Sequence, residues 1–157
     1  MQSEIKNLMQ KFDFNGQSGF LQYWELKHVR NEWVLTVAVQ PFLSTNDDEG
    51  LENYRKRSLK QRFSVGPGQL VDKEWFSCVA VQTRVADQRT SHNSNQFMGQ
   101  LVVPIFVNMG AHQILLGVIE LVTAHPKACY IEDFNQIYNL LKNENLETNP
   151  MVTSTLA

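Results

Sequence analysis

The most distinctive hydrophobic pattern is a pair of apolar runs in the second half of the chain, Gly99 to Phe106 and Leu116 to Thr123. Both runs are rich in β-branched residues and are shorter than an ordinary globular helix, which favours buried strands. The connection between them, Asn108 to Ala111, contains a glycine and is typical of a turn. The pattern therefore predicts an antiparallel hairpin inside a sheet.

Two further segments, one near each end of the chain, carry apolar residues at helical spacing. Their stripes are Ile5, Leu8, Met9 and Phe12 in the first, and Ile131, Phe134, Ile137, Tyr138 and Leu141 in the second. A period of about 3.6 residues places each stripe on one face of an amphipathic helix. We expect Asn15-Gly16 to end the first helix and Asn149-Pro150 to end the second. The predicted fold class is α+β, a central antiparallel sheet with N- and C-terminal helices packed on it.

The segments between these elements predict shorter strands, helices and turns. Aromatic or β-branched runs indicate the strands, short amphipathic stretches indicate the helices, and Gly and Pro residues indicate the turns. In chain order they are a hairpin of Phe20 to Leu26 with Trp33 to Gln40, a short helix bearing Leu51 and Tyr54, a strand within Lys60 to Val65, a turn at Gly66-Pro67-Gly68, a short helix through Leu70 to Phe76, and a polar, mobile loop from Ala86 to Gln96.

Length and composition indicate one domain. A chain of 157 residues that is 43% hydrophobic can bury enough surface for one core but not for two ordinary ones. We expect a single domain over residues 1–148 and a disordered tail over 149–157. No apolar run approaches the roughly 18 residues of a membrane span, and the N-terminus lacks the apolar core of a signal peptide. The isolated Cys78 and Cys129 fit a reducing compartment, so we expect a soluble protein that is not secreted.

Charge offers one local feature. The formal net charge of −2 gives no general attraction to a phosphate backbone. A basic run nevertheless follows the acidic Asp47 to Glu49. It consists of Arg55, Lys56, Arg57, Lys60 and Arg62. Such a run is typical either of a nuclear import signal or of a solvated helix face neutralised by neighbouring acids, and we favour the solvated face.

Reaction chemistry is not indicated by any motif. The sequence lacks a nucleophile elbow, a phosphate-binding loop and a helical zinc motif. Its histidines, His28, His92, His112 and His125, fall in different predicted loops without the spacing of metal ligands. We therefore predict no catalytic residue, no metal site and no cofactor.

Glu120 is the one charged residue inside the second apolar run. A carboxyl group in such a place can be a desolvated acid or base. A strand period of two places it on one face with Val118 and Val122, and we favour a structural role in which it meets a backbone donor or a buried arginine. Three tryptophans, Trp24, Trp33 and Trp75, are expected in or near the core, and both cysteines are expected to be buried and inert.

Short motifs recur along the chain in a fixed order. They are Gln22-Tyr23-Trp24, Val34-Leu35-Thr36, Gln40-Pro41-Phe42, Leu51 with Tyr54-Arg55, Gly66-Pro67-Gly68, Gly99 to Phe106, Gly117 to Thr123 and Leu140 to Leu146. Taken together they resemble the N-terminal GAF-like region of the plant NIN-like proteins, the RWP-RK transcription factors of nitrate and nodulation signalling. The resemblance extends from about Gly19 to Glu147.

This resemblance implies a GAF-like, non-enzymatic regulatory domain that tunes transcription in nitrate signalling through protein partners, including full-length NIN-like relatives. It implies the nucleus as the location, with the cytoplasm left open. No RWP-RK segment and no acidic–basic pairing domain follow Thr148. We therefore expect a truncated or stand-alone member of the family that neither binds DNA directly nor associates with a membrane.

A small-ligand sensor is the alternative that the resemblance leaves open. GAF domains elsewhere bind cyclic nucleotides, bilins or small anions, and the residue sets for the first two ligands are not assembled here. Nitrate or another small anion remains, because backbone N–H groups at a turn together with a cation suit such a ligand. Arg84, Arg89 and His92 are the residues expected to supply it.

Overall fold

A single antiparallel sheet organises the molecule. The computed structural model describes residues 1–64, the backbone of 65 and of 81–86, and residues 97–149. Within these residues the elements are α1 (Gln2–Lys11), β1 (Gly19–Val29), β2 (Glu32–Thr36), β3 (Phe42–Ser44), α2 (Glu49–Leu59), β4 (Phe63–Val65), β5 (Val81–Ala86), β6 (Phe97–Met109), β7 (His112–Thr123) and α3 (Ile131–Asn143). The strand order is β4-β2-β1-β7-β6-β5, and β3 also pairs with β1.

Strands β6 and β7 confirm the predicted hairpin. β6 and β7 pair antiparallel from Gly99 opposite Thr123 to Met109 opposite His112, with a register shift between Ile105 and Phe106. Gly110 adopts a φ of +69° at the turn, a conformation that suits glycine.

β1 lies on the other side of β7 and has two different neighbours along its outer edge. Its first part, Phe20 to Gln22, pairs with β3, and its last part, Glu25 to Val29, pairs with β2. On its inner edge Gln22 lies opposite Glu120 of β7, and Trp24 lies opposite Val118. β1 and β7 therefore form the middle of the sheet.

One face of the sheet is covered by the two terminal helices. The buried side chains of this cluster include Ile5, Leu8 and Met9 from α1, Phe134, Ile137 and Leu141 from α3, and Leu21, Tyr23, Leu101, Val103, Ile105, Ile119 and Leu121 from the strands. The side-chain amide of Gln136 in α3 also bonds the backbone N–H and carbonyl of Asp13, just after α1. The predicted α+β class, with N- and C-terminal helices on an antiparallel sheet, is confirmed.

The opposite face carries two smaller apolar clusters. Phe20, Leu51, Met98, Val122 and Ala124 form the first, with Tyr54 packed against it. Trp24, Leu35, Val37, Val102 and Val118 form the second. Since Leu51 and Tyr54 belong to α2, this helix covers part of the second face. Among the described residues, no helix is long and apolar enough to cross a membrane.

Several boundaries and burials differ from the predictions. α1 ends at Lys11 because Phe12 is already extended, and Asn15-Gly16 forms a separate turn with positive φ angles. Trp33 is 48% exposed, so its predicted core position is wrong. It lies at the solvated end of the β1–β2 hairpin, where its ring contacts His28 at 4.8 Å between centroids.

Other predictions fall wholly or partly outside the described residues. These are the turn at Gly66-Pro67-Gly68, the helix through Leu70 to Phe76 with Trp75, the loop from Ala86 to Gln96 except Ala86 itself, and the tail beyond Asn149. Ala86 is the last residue of β5, a strand that the sequence analysis did not predict. The other unpredicted strand is β3.

Candidate functional site

A buried polar cluster lies between α2 and the sheet, and we define it by Glu120, Gln22, Trp24, Tyr54 and Gln100. Glu120 is 0% exposed and lies in the second half of the central strand β7. Its neighbours at i±2, Val118 and Val122, belong to the apolar clusters of the same face. The predicted period-two placement is therefore confirmed.

Four neutral side chains donate hydrogen bonds to the Glu120 carboxylate. Gln22 Nε2 reaches Oε1 at 2.7 Å and Trp24 Nε1 reaches the same oxygen at 2.8 Å. The Tyr54 hydroxyl and Gln100 Nε2 both donate to Oε2. Each carboxylate oxygen thus has two donors, which offsets much of the cost of removing a charge from water.

Strand alternation and α2 place these donors. Gln22 and Trp24 are two residues apart on β1 and therefore point to the same face, while Gln100 lies on β6, on the other side of β7. Tyr54 enters from α2, whose N-cap residue is Asp48; the Asp48 side chain accepts a bond from Leu51 N at 3.0 Å. The cluster therefore joins three strands and one helix.

A second row of contacts fixes the Gln22 amide. Its Nε2 also donates to Ser58 Oγ at 3.0 Å, and its Oε1 accepts from Arg55 Nη1 at 2.8 Å. The Ser58 hydroxyl in turn donates to the Tyr54 carbonyl. Arg55 is thus connected to Glu120 through one amide group.

The electrostatics of the cluster favour a neutral Tyr54 hydroxyl beside Glu120. Burial raises the pKa of Tyr54 well above its ordinary value, and the nearby Glu120 charge raises it further. Burial lowers the pKa of Arg55, an effect that the Glu120 charge partly opposes. An arginine remains protonated under such shifts, so Arg55 stays cationic.

This geometry suits a structural anchor rather than an acid or base. Both Glu120 oxygens are engaged by donors that the fold itself supplies, and a proton-transfer group needs an open position for its substrate. The structural interpretation of Glu120 agrees with the geometry, but the expected partners were wrong. The donors are four neutral side chains, and the buried arginine acts only through Gln22.

The predicted anion residues are only partly within the described chain. Arg84 belongs to the edge strand β5, where its backbone pairs opposite Gly99, and Arg89 and His92 lie outside the described residues. The nitrate site therefore stays a prediction.

The five residues of the basic run differ in their exposure to solvent. Lys56, Lys60 and Arg62 are exposed, and the Arg57 guanidinium lies 5.7 Å from the Tyr54 ring centroid. Arg55 is half-buried and is bonded to Gln22, so the expectation of a uniformly solvated face is wrong at this residue. A role of the run in nuclear import stays a prediction.

The remaining candidate residues do not converge. Among the described residues, no three or more His, Cys, Asp or Glu side chains are grouped so as to hold a metal ion. Cys129 is exposed, because it lies in the connection between β7 and α3, and its predicted burial is wrong. Cys78 lies outside the described residues.

The fold and the cluster define a class of domain: an α+β unit with one antiparallel sheet, helices on both faces, and a buried carboxylate fully engaged by hydrogen bonds. Within that class, the chain resembles the NIN-like proteins in sequence. Protein NLP6 of Arabidopsis thaliana is 28% identical to it over 144 residues, 83% of this chain and 17% of that protein.

Two further relatives match the chain to a similar extent. Protein NLP1 of Oryza sativa subsp. japonica is 27% identical over 141 residues, 82% of this chain and 15% of that protein. Protein NLP7 of Arabidopsis thaliana is 26% identical over 144 residues, 83% of this chain and 15% of that protein. No family model and no solved structure matches. The resemblance inferred from the motifs is confirmed, and the chain spans about a sixth of the length of these relatives.

Proposed function

We propose that this chain is a non-enzymatic, GAF-like regulatory domain of a NIN-like transcription factor, acting through protein contacts on transcription in nitrate signalling. The observation that carries the proposal is the extent of the similarity. It covers 82–83% of this chain but only 15–17% of each relative. Such a proportion is what a single module within a larger regulator would give.

The buried cluster supports the non-enzymatic part of the proposal. The carboxyl group of Glu120, which is 0% exposed, has both oxygens engaged by side chains of the fold. A regulatory domain requires a stable scaffold and exposed contact surfaces, and it has no need of an accessible acid or base.

Charge supports a role through proteins rather than through DNA. The formal net charge is −2, and one of the five cations in the basic run, Arg55, is turned inward to Gln22. DNA-binding domains generally present a clustered basic face. Lys56, Lys60 and Arg62 remain exposed, and nuclear import is the use that we propose for them.

A domain exchange in Protein NLP6 tests the regulatory role. Three versions of that protein are compared for nitrate-dependent transcription of a reporter: the intact protein, a version lacking the 144-residue matching segment, and a version in which this chain replaces the segment. We expect this chain to restore the part of the response that deletion removes. If the exchanged protein accumulates normally but behaves like the deletion, the proposal is refuted.

Protein contacts are tested with the isolated chain. We expect the purified chain to bind full-length Protein NLP6 in a pull-down, whereas heat-unfolded chain at the same concentration should not bind.

The import role is tested with a fluorescent fusion in which Lys56, Lys60 and Arg62 are changed to Gln. Loss of nuclear accumulation is expected, and unchanged accumulation would contradict that role.

A further inference from the structure

A cavity of about 300 Å³ lies beside the buried cluster, between α2, β3 and the start of β1. Its lining residues are Phe20, Phe42, Ser44, Asn46, Leu51, Glu52, Arg55 and Lys56. A volume of this size is at the lower end of the range of pockets for small organic ligands.

Arg55 gives the cavity a cationic side, and not all of its hydrogen-bond donors have a partner. Arg55 Nη1 donates to Gln22, and the guanidinium lies over the Phe42 ring at 4.1 Å from the centroid. Arg55 Nε is buried and has no hydrogen-bond partner among the described residues. A buried donor without a partner is costly, so the guanidinium that lines the cavity is not fully paired by the described residues.

A second cation adds positive charge to the same side of the cavity. Lys56 lines the cavity next to Arg55, is exposed, and forms no ion pair within the described part of the chain. The carboxylate of Glu52 also lines the cavity and partly offsets the two positive charges. This balance of two cations and one anion suits a ligand with a single negative charge better than a polyanion.

The remaining wall of the cavity is apolar. Phe20 and Leu51 are nearly fully buried beneath it, whereas Phe42 is 49% exposed. An aromatic ring with that exposure, held in place by a stacked guanidinium, offers a flat surface for an apolar ligand. Small-molecule sites commonly combine such a surface with a few fixed polar groups.

We propose that this cavity binds a small organic carboxylate. Its carboxylate group pairs with Arg55 and Lys56, and its apolar body lies against Phe20, Leu51 and Phe42. A bare inorganic anion would leave the apolar wall in contact with water, and a neutral ligand would leave the two cations unpaired. The site goes beyond the proposed function and does not depend on it, because it rests on the geometry of α2, β1 and β3 alone.

The binding would be connected to the buried cluster. Arg55 bonds the Gln22 amide, and that amide bonds Glu120. A carboxylate that fixes the Arg55 side chain therefore also holds the hydrogen bonds that join α2 to β1 and β7. Since a ligand selective for the native state stabilises it, thermal unfolding of the whole chain reports binding.

Benzoate is the probe for the first experiment. The purified chain is titrated with sodium benzoate, with benzamide as the neutral isostere, acetate as a carboxylate without an apolar body, and nitrate and chloride as inorganic anions at matched ionic strength. We expect benzoate to raise the unfolding midpoint most, acetate less, and benzamide, nitrate and chloride not at all. A rise with nitrate or benzamide equal to that with benzoate would overturn the proposal.

Variants with matched controls locate the site. Calorimetric titration with benzoate should show Kd at least tenfold weaker for Arg55→Gln and several-fold weaker for Lys56→Gln, an exposed position that should not disturb folding. Lys60→Gln, on a nearby cation outside the lining, should leave Kd unchanged. Unchanged affinity in both Arg55→Gln and Lys56→Gln would overturn the assignment.

A second pair of variants removes a negative charge, and one of the two should bind benzoate more tightly. Glu52→Gln removes the acid that lines the cavity and should tighten benzoate binding, whereas Glu49→Gln, on the same helix but outside the lining, should not. Weaker binding in Glu52→Gln would contradict the proposed position of the carboxylate. These assays measure binding by the isolated chain and the domain exchange measures transcription, so either can fail without the other.

Discussion

Replacement of Glu120 tests whether the buried carboxylate fastens α2 to the sheet. Glu120→Ala removes the acceptor of four donors, those of Gln22, Trp24, Tyr54 and Gln100. The donors of Gln22, Trp24 and Gln100 then remain buried, since these side chains are at most 1% exposed. Glu120→Gln keeps the size of the side chain and one acceptor oxygen.

The expected magnitudes follow from the number of donors that each variant leaves unpaired. A buried donor that loses its acceptor costs about 1–3 kcal/mol of the free energy of unfolding, and because four neutral donors lose theirs together, we expect Glu120→Ala to cost roughly 3–5 kcal/mol. In Glu120→Gln the new oxygen can still accept from Gln22 and Trp24. The Tyr54 hydroxyl can rotate to accept from the new amide, so we expect a loss of roughly 1–3 kcal/mol.

Urea unfolding followed by tryptophan fluorescence measures both values, with Glu32→Ala as the control because Glu32 is an exposed strand carboxylate. The m-value should stay constant, since the surface exposed on unfolding is unchanged. The control should shift the free energy of unfolding by less than about 0.5 kcal/mol. If Glu120→Ala costs less than about 1 kcal/mol, or no more than the control, the carboxylate is not an anchor and the reasoning fails.

Three further predictions concern other parts of the fold. Gly99→Ala should lose roughly 1–3 kcal/mol in the same urea assay, because the new Cβ would overlap the Tyr130 hydroxyl oxygen; an unchanged midpoint would contradict the close approach. Burial raises the pKa values of Tyr23 and Tyr54, so in the native protein these two side chains keep protons that they lose on unfolding, and the free energy of unfolding should fall as pH rises above about 10. Tyr54→Phe should flatten that slope, and an unaltered slope would argue against a raised pKa. Cys129 is exposed, so a thiol reagent should label it in the native protein, and labelling only in denaturant would contradict its position.

The predictable part of the fold is the part with strong periodicity. The stripes of α1 and α3 and the β-branched runs of β6 and β7 were identified from sequence because each element buries one face along its length. β3 was missed because its three residues, Phe42–Ser44, are too few to display a period. The burial of Trp33 was mispredicted because a hydrophobic residue type does not reveal where a hairpin projects beyond its covering helices.

Only part of the candidate site could be predicted from the sequence. Glu120 was conspicuous because a charge interrupts an apolar run, but its partners come from three other elements. Gln22 and Gln100 carried a weaker signal of the same kind, since each is a polar residue within a predicted buried strand. Tyr54 carried none, because an aromatic residue on a short amphipathic helix is expected in a core whether or not its hydroxyl has a partner.

The polar cluster also bears on how the sheet selects its register. Gln22 on β1 lies opposite Glu120 on β7, and a slip of one residue would turn every β1 side chain to the other face. Gln22 would then enter the apolar layer under α1 and α3, and the Glu120 charge would lose two of its four donors. The misregistered pairing is penalised both by an unpaired buried amide and by a poorly solvated carboxylate. We infer that the cluster stabilises one pairing of β1 with β7 against its alternatives. On this argument Gln22→Leu should cost less stability than Glu120→Ala but should broaden the amide NMR signals of β1, where a mixture of registers would appear.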